Sequence, residues 1–88
     1  NSMTKMQLKA VEAYFVAQNL ADANSVVNLF TEDADVYNVN FPKFSGKSGI
    51  QAFCENLYDR TSARNFEIIS TAQGENDVVM AHWKVAMT

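Results

Sequence analysis

Residues Phe66 to Met87 read FEIISTAQGENDVVMAHWKVAM, and this stretch decides the fold class. Phe66 to Ala72 has the composition of a strand, with Phe66, Ile68 and Ser70 expected on one side. Gln73, Gly74, Glu75 and Asn76 supply turn chemistry. From Asp77 to Met87 the side chains alternate. Val79, Ala81, Trp83, Val85 and Met87 share one face, and Met80, His82, Lys84 and Ala86 share the other. The two strands read as an antiparallel hairpin.

Before the hairpin come helices. Ile50, Phe53, Cys54, Leu57 and Tyr58 recur at i, i+3, i+4, i+7 and i+8, one face of a helix. Ser48 and Gln51 have the spacing of a capping box at its start. A first helix is expected from Lys5 to about Leu20, with Leu8, Val11, Tyr14, Phe15 and Gln18 on one face and Thr4 and Gln7 as its capping pair. Asp22 is placed to cap a short second helix whose face is Ala23, Val26, Val27 and Phe30. Glu32, Asp33 and Asp35 crowd its far end. Acidic groups oppose the helix dipole there, so the helix is expected to stop near Phe30. Ala34 to Val39 reads as a strand, with Val36 and Asn38 pointing one way and Tyr37 and Val39 the other. Pro42 keeps Phe41 to Gly46 from being a central strand, leaving a loop or a short return strand. The order helix, helix, strand, helix, strand, strand is an α+β pattern rather than alternating βαβ. No glycine-rich first βα turn exists for a doubly wound nucleotide fold.

Composition narrows the function classes. Among 88 residues, 48% are hydrophobic and 19% charged, which excludes a disordered tail. Seven Lys and Arg against ten Asp and Glu leave a net charge of −3, so no nucleic-acid partner is expected. No apolar run approaches the ~20 residues that span a bilayer, and no membrane partner is expected either. One cysteine allows neither an internal disulfide nor a cysteine-rich zinc site, and implies a reducing, cytoplasmic setting. Residues 1–3 read as an expression remnant and residues 4–88 as one small domain.

Five motifs follow one another along the chain: Tyr14-Phe-Val-Ala-Gln-Asn-Leu-Ala-Asp22, Val26-Val-Asn-Leu-Phe30, Glu32-Asp-Ala-Asp-Val36, Gly46-Lys-Ser-Gly-Ile50 and His82-Trp83. Their order and spacing resemble the nuclear transport factor 2-like superfamily, which includes ketosteroid isomerases and SnoaL-like polyketide cyclases. The resemblance covers Leu8 to Met87. It implies a cystatin-like cone: three helices on a curved antiparallel sheet, with an apolar pocket between them and homodimers through the sheet's outer face. Family domains run on for about two more strands, so the domain is expected to be incomplete at its C-terminus. A sheet lacking those strands has an unpaired edge, which invites another chain.

The resemblance also assigns roles. Tyr14 matches the helix tyrosine that the isomerases use as oxyanion donor, and is the candidate catalytic residue. The alternative is a core tyrosine with a local partner. Asn38 matches the strand position where the isomerases carry an aspartate base. An amide cannot abstract a proton, so Asn38 is left as a hydrogen-bonding ligand contact or a locally satisfied strand residue. Asp35 cannot replace that base, because it points to the opposite face. Trp83, Phe15, Val36, Phe53, Val85 and Met87 are expected to line the pocket. Turning Lys84 and His82 inward instead would bury an unpaired charge. His82 is expected on the outer face, at a dimer contact or the surface.

Cys54 lies mid-helix on the apolar face and reads as an inert small hydrophobe rather than a nucleophile paired with His82. No His, Cys and acid cluster has metal-ligand spacing, and no cofactor is expected. The acidic turn at residues 32–35 reads as solvated, and Lys43 and Lys47 flank Gly46 without a glycine-rich cradle for an anion. Two functions are therefore expected to compete. One is a pocket for a small apolar, carbonyl-bearing ligand on an isomerase- or cyclase-like scaffold. The other is a non-catalytic dimerisation or binding domain of the same fold.

Overall fold

In a computed structural model, which describes residues 2–37 and 42–88, helix α1 (Ser2–Asn19) lies on a long hairpin of β3 (Arg64–Gln73) and β4 (Val79–Met87). Helices α2 (Ala23–Val27) and α3 (Gly46–Arg60) pack beside it, and β1 (Asp35–Val36) pairs with β2 (Phe44–Ser45). The α+β class and the element order follow the sequence pattern, with Phe44–Ser45 as the short return strand. The described strands form two separate antiparallel pairs, β1–β2 and β3–β4, rather than one continuous curved sheet.

The core lies where the three helices meet. Ala17, Val26, Val27, Ile50 and Cys54 are buried there, with Tyr14, Phe30, Val36, Phe53 and Tyr58 packed around them. These are the helical-face positions of the sequence, brought together because each helix has only one apolar stripe to bury.

The turn from α1 to α2 closes with two reciprocal bonds. The Asp22 N–H donates to the Ala17 carbonyl at 2.9 Å and the Ala21 N–H to the Gln18 carbonyl at 3.2 Å. That closure places a left-handed residue just past the helix, and here it is Ala21, at φ 55°. Asp22 then caps α2 as expected: its carboxylate accepts from the Ser25 N–H at 3.2 Å and from the Ser25 hydroxyl at 2.7 Å. These bonds hold the Asp22 carboxyl below its usual range.

Several local expectations give way to tertiary structure. Neither capping box forms. Helix α1 begins at Ser2, so Thr4 is inside it, and the Gln7 amide donates to the Asp77 carbonyl at 2.8 Å. Helix α3 begins at Gly46, so Ser48 is inside it, and Gln51 bonds Glu55 at 3.1 Å. What fixes the start of α3 is Gly46, whose φ of 70° suits glycine and whose N–H donates to the Ala34 carbonyl at 2.8 Å. Helix α2 ends at Val27, short of Phe30, with Leu29 and Phe30 in a tighter turn of i→i−3 bonds. The hairpin turn extends through Asn76 and Asp77, both at positive φ, so β4 begins at Val79. A bulge between Ile68 and Ser70 sets Ser70 opposite His82, on the other face from Ile68.

The α1 end is tied to the hairpin by one side chain. The Asn19 carboxamide accepts from the Phe66 N–H at 2.6 Å and donates to the Phe66 carbonyl at 3.2 Å.

Candidate functional site

Aromatic rings organise the space between α1, α3 and the two hairpins. Phe15 of α1 meets Phe66 of β3 and Trp83 of β4, with both ring centroids at 5.5 Å, and Phe66 lies 5.4 Å from Trp83. Across from this cluster, Phe44 of β2 packs on Phe53 of α3 at 5.2 Å. Between the two groups is a cavity of about 860 Å³. Helix α1 contributes Tyr14, Phe15 and Gln18 to it, and α3 contributes Phe53, Asn56, Leu57 and Arg60. Val36, Tyr37, Pro42 and Phe44 form the wall beside β1 and β2, and Phe66, Trp83 and Met87 the wall of the long hairpin. A smaller cavity of about 360 Å³ shares Tyr14, Phe15 and Trp83 and continues along Val11, Leu29 and Ala81.

Among the residues expected at a ligand site, Tyr14, Phe15, Val36, Phe53, Trp83 and Met87 line the larger cavity. Val85, half-buried on the same face of β4, is not one of its lining residues. Asn38 lies outside the described residues. Lys84 is turned outward and pairs with Glu67 at 3.5 Å.

Besides Asn56 and Arg60, the wall carries a chain of side-chain bonds that sequence reasoning did not find. The Tyr58 hydroxyl donates to Gln18 Oε1 at 2.7 Å. Gln18 Nε2 in turn donates to the Tyr14 hydroxyl oxygen at 3.1 Å and faces Cys54 Sγ at 4.0 Å. Gln18 was legible only as a member of the helical face, because Tyr58 is 40 residues away in sequence. Burial pushes the Tyr14 phenol up from its ordinary pKa, opposed by the Gln18 bond and reinforced by Cys54. Burial likewise raises the Tyr58 phenol, with Cys54 adding to the effect, and raises the Cys54 thiol. All three groups therefore stay protonated near neutral pH. The Arg64 guanidinium lies over the Tyr58 ring, 4.9 Å from its centroid.

Other candidates separate. Cys54 is fully buried among the helices, while His82 is exposed on the hairpin, so no dyad forms between them. Glu32, Asp33 and Asp35 are all exposed; Glu32 pairs with Lys47 at 3.6 Å, and Asp33 accepts from the Thr31 hydroxyl at 2.9 Å. Among the described residues no group of three or more His, Cys, Asp or Glu could hold a metal ion, and no helix is long and apolar enough to cross a membrane.

Comparison with known proteins agrees with the fold. A cystatin fold protein from Novosphingobium aromaticivorans superposes with a TM-score of 0.77 at 24% identity, over 89% of this chain and 67% of its own. The epoxide hydrolase/cyclase-like enzyme SalBIII, of pyran ring formation in the polyether salinomycin, gives 0.81 at 20% identity, over 96% and 65%. A ketosteroid isomerase-like protein from Erwinia carotovora atroseptica gives 0.63 at 20% identity, over 90% and 77%. The chain thus spans about two thirds of the first two structures, and at these identities the likeness is one of fold. No curated protein matches significantly. The family model of the SnoaL-like domain matches residues 11–88, from the middle of α1 to the end of β4. On that match the chain belongs to the SnoaL-like domain family, within the superfamily that its helix and hairpin motifs resemble.

Proposed function

We propose that the domain binds a small apolar, carbonyl-bearing molecule in the cavity between α1, α3 and the hairpins, with Tyr14 donating its hydroxyl proton to the ligand's carbonyl oxygen. The observation that carries this reading is the Gln18 bond. The amide occupies a lone pair of the Tyr14 oxygen and leaves the phenolic proton for a ligand. A donor held among apolar walls stabilises negative charge on oxygen without competition from water. The described lining residues include no carboxylate and no imidazole, so the reading gives them binding and carbonyl polarisation, not proton abstraction. The cyclase-like relatives support this scaffold for the chain. A cytoplasmic setting goes with it, supported by the single, buried cysteine.

Trp83 is the one tryptophan and lines the cavity, so its emission reports binding. Titration with 2-acetylnaphthalene, a planar apolar ketone, is expected to change that emission saturably. Tyr14→Phe should weaken binding by about 3- to 10-fold, the weight of one hydrogen bond. No saturable change up to the probe's solubility, or equal binding by Tyr14→Phe, overturns the reading.

A second reading, homodimerisation, has its own support. Ile69 and Met80 on the long hairpin are each 53% exposed, although both are apolar. Light scattering is expected to give a dimer mass at micromolar concentration. A monomer with a cooperative melt would refute it. In a face-to-face dimer His82 meets the partner; in an edge-paired dimer the backbone of Val79 to Met87 does.

A further inference from the structure

Gln18 is fully buried, the one polar side chain in that state among the described residues. A carboxamide costs free energy to bury unless its groups are paired, so its orientation is decided by who can pair with it. Its neighbours are the Tyr58 hydroxyl, the Tyr14 hydroxyl and the Cys54 sulfur. With Oε1 toward Tyr58, both amide hydrogens face acceptors, Tyr14 and Cys54. Turned over, the amide would spend one hydrogen on Tyr58 and leave the other without an acceptor. The first arrangement is the one present. It gives the bonds a direction, from Tyr58 through Gln18 to Tyr14, and that direction ends with Tyr14 as a donor whose proton has no acceptor among the described residues.

We infer that Gln18 is the specificity-determining residue of the cavity: by donating to Tyr14 it makes the site select ligands that present an acceptor oxygen and reject isosteres without one. The inference rests on the ligand-binding reading above and adds its selection rule. Gln18 is a positioning residue, acting through Tyr14. A glutamate at position 18 separates this role from mere packing. Protonated, its carboxyl has one donor and one acceptor and reproduces the amide. Ionised, it is acceptor only and accepts hydrogen bonds from the hydroxyls of both Tyr14 and Tyr58. The groups facing it are Tyr14 from α1, Cys54 and Tyr58 from α3, and Arg64 of β3 over the Tyr58 ring, and Arg60 of α3 lines the same cavity; α2 presents Ala23, Val26 and Val27, which do not titrate. Burial there should raise the carboxyl's pKa, against the opposing pull of the two guanidinium groups.

The test compares 2-acetylnaphthalene with its carbon isostere 2-isopropenylnaphthalene by Trp83 emission. Wild type is expected to prefer the ketone on the order of tenfold, the same from mildly acidic to neutral pH. Gln18→Glu should keep that preference in acid and lose it, toward unity, as pH rises through the carboxyl's pKa. Tyr14→Phe, which removes the donor itself, should be near unity throughout, with folding followed by circular dichroism. A preference in Gln18→Glu that stays flat with pH, a wild-type preference that follows the same pH curve, or a full preference in Tyr14→Phe overturns the inference. Equal wild-type binding of both probes also overturns it while the cavity reading stands. Binding of neither overturns both.

Discussion

Asn38→Asp should raise conversion of a 3-keto-Δ5 steroid to its conjugated isomer by ~10²–10⁴-fold over the wild-type chain, which is expected to be slow. The expectation starts from the resemblance that sets Asn38 at the base position of the isomerases. Moving a double bond into conjugation needs a proton taken from carbon. A carboxylate can be tuned to take it near neutral pH, and an amide cannot at any pH an enzyme meets. Other parts of such a site have candidates close by. Tyr14 would meet the carbonyl oxygen, and Val36, two positions before Asn38, lines the cavity. The growing absorbance of the conjugated enone follows the reaction. Fast turnover by wild type, or no gain in Asn38→Asp, removes this role from position 38.

Ile50→Ala should lower stability by about 2–5 kcal/mol. Ile50 has no exposed surface and packs with Ala17 of α1, Val26 and Val27 of α2 and Cys54 of its own helix. Truncation removes a methylene and two methyl groups where three helices converge, and leaves a cavity among their side chains. A small domain has ~5–15 kcal/mol in all, so this loss is a large share of it. Ile50→Val, which keeps the branch, should cost about 0.5–1.5 kcal/mol. Urea unfolding of both variants measures the difference. If alanine shifts the midpoint no further than valine, the helix junction is not the stabilising core.

The parts legible in the sequence are those where local pattern and final burial agree. The stripe Ile50, Cys54 and Tyr58 is buried or half-buried, and the alternation from Val79 to Met87 turns Trp83 and Met87 to the cavity, where they keep 44% and 46% of their surface exposed. The Phe15, Phe53 and Trp83 positions followed from the same phase. What was not legible depends on partners distant in sequence. The start of α3 is fixed by Gly46 reaching Ala34 in the β1 segment, which overrides the Ser48 and Gln51 pair. The bulge that turns Ser70 over leaves no mark in the neighbouring Ile68-Ile69, since both are apolar. Gln18 reads in the sequence only as a member of the α1 face; its meaning lies in two tyrosines, one of them on another helix.

The Asn19 carboxamide has a consequence for how chains can join. It takes the N–H and the carbonyl of Phe66, the two main-chain groups that an added strand would need at that point, and so behaves as a strand one residue long. The ladder cannot run past β3 there. A second copy that pairs along the whole length of this sheet is therefore directed to β4, and two copies attached β4 to β4 each present a side interrupted at Phe66. Growth of that kind terminates at a pair instead of propagating into a fibre.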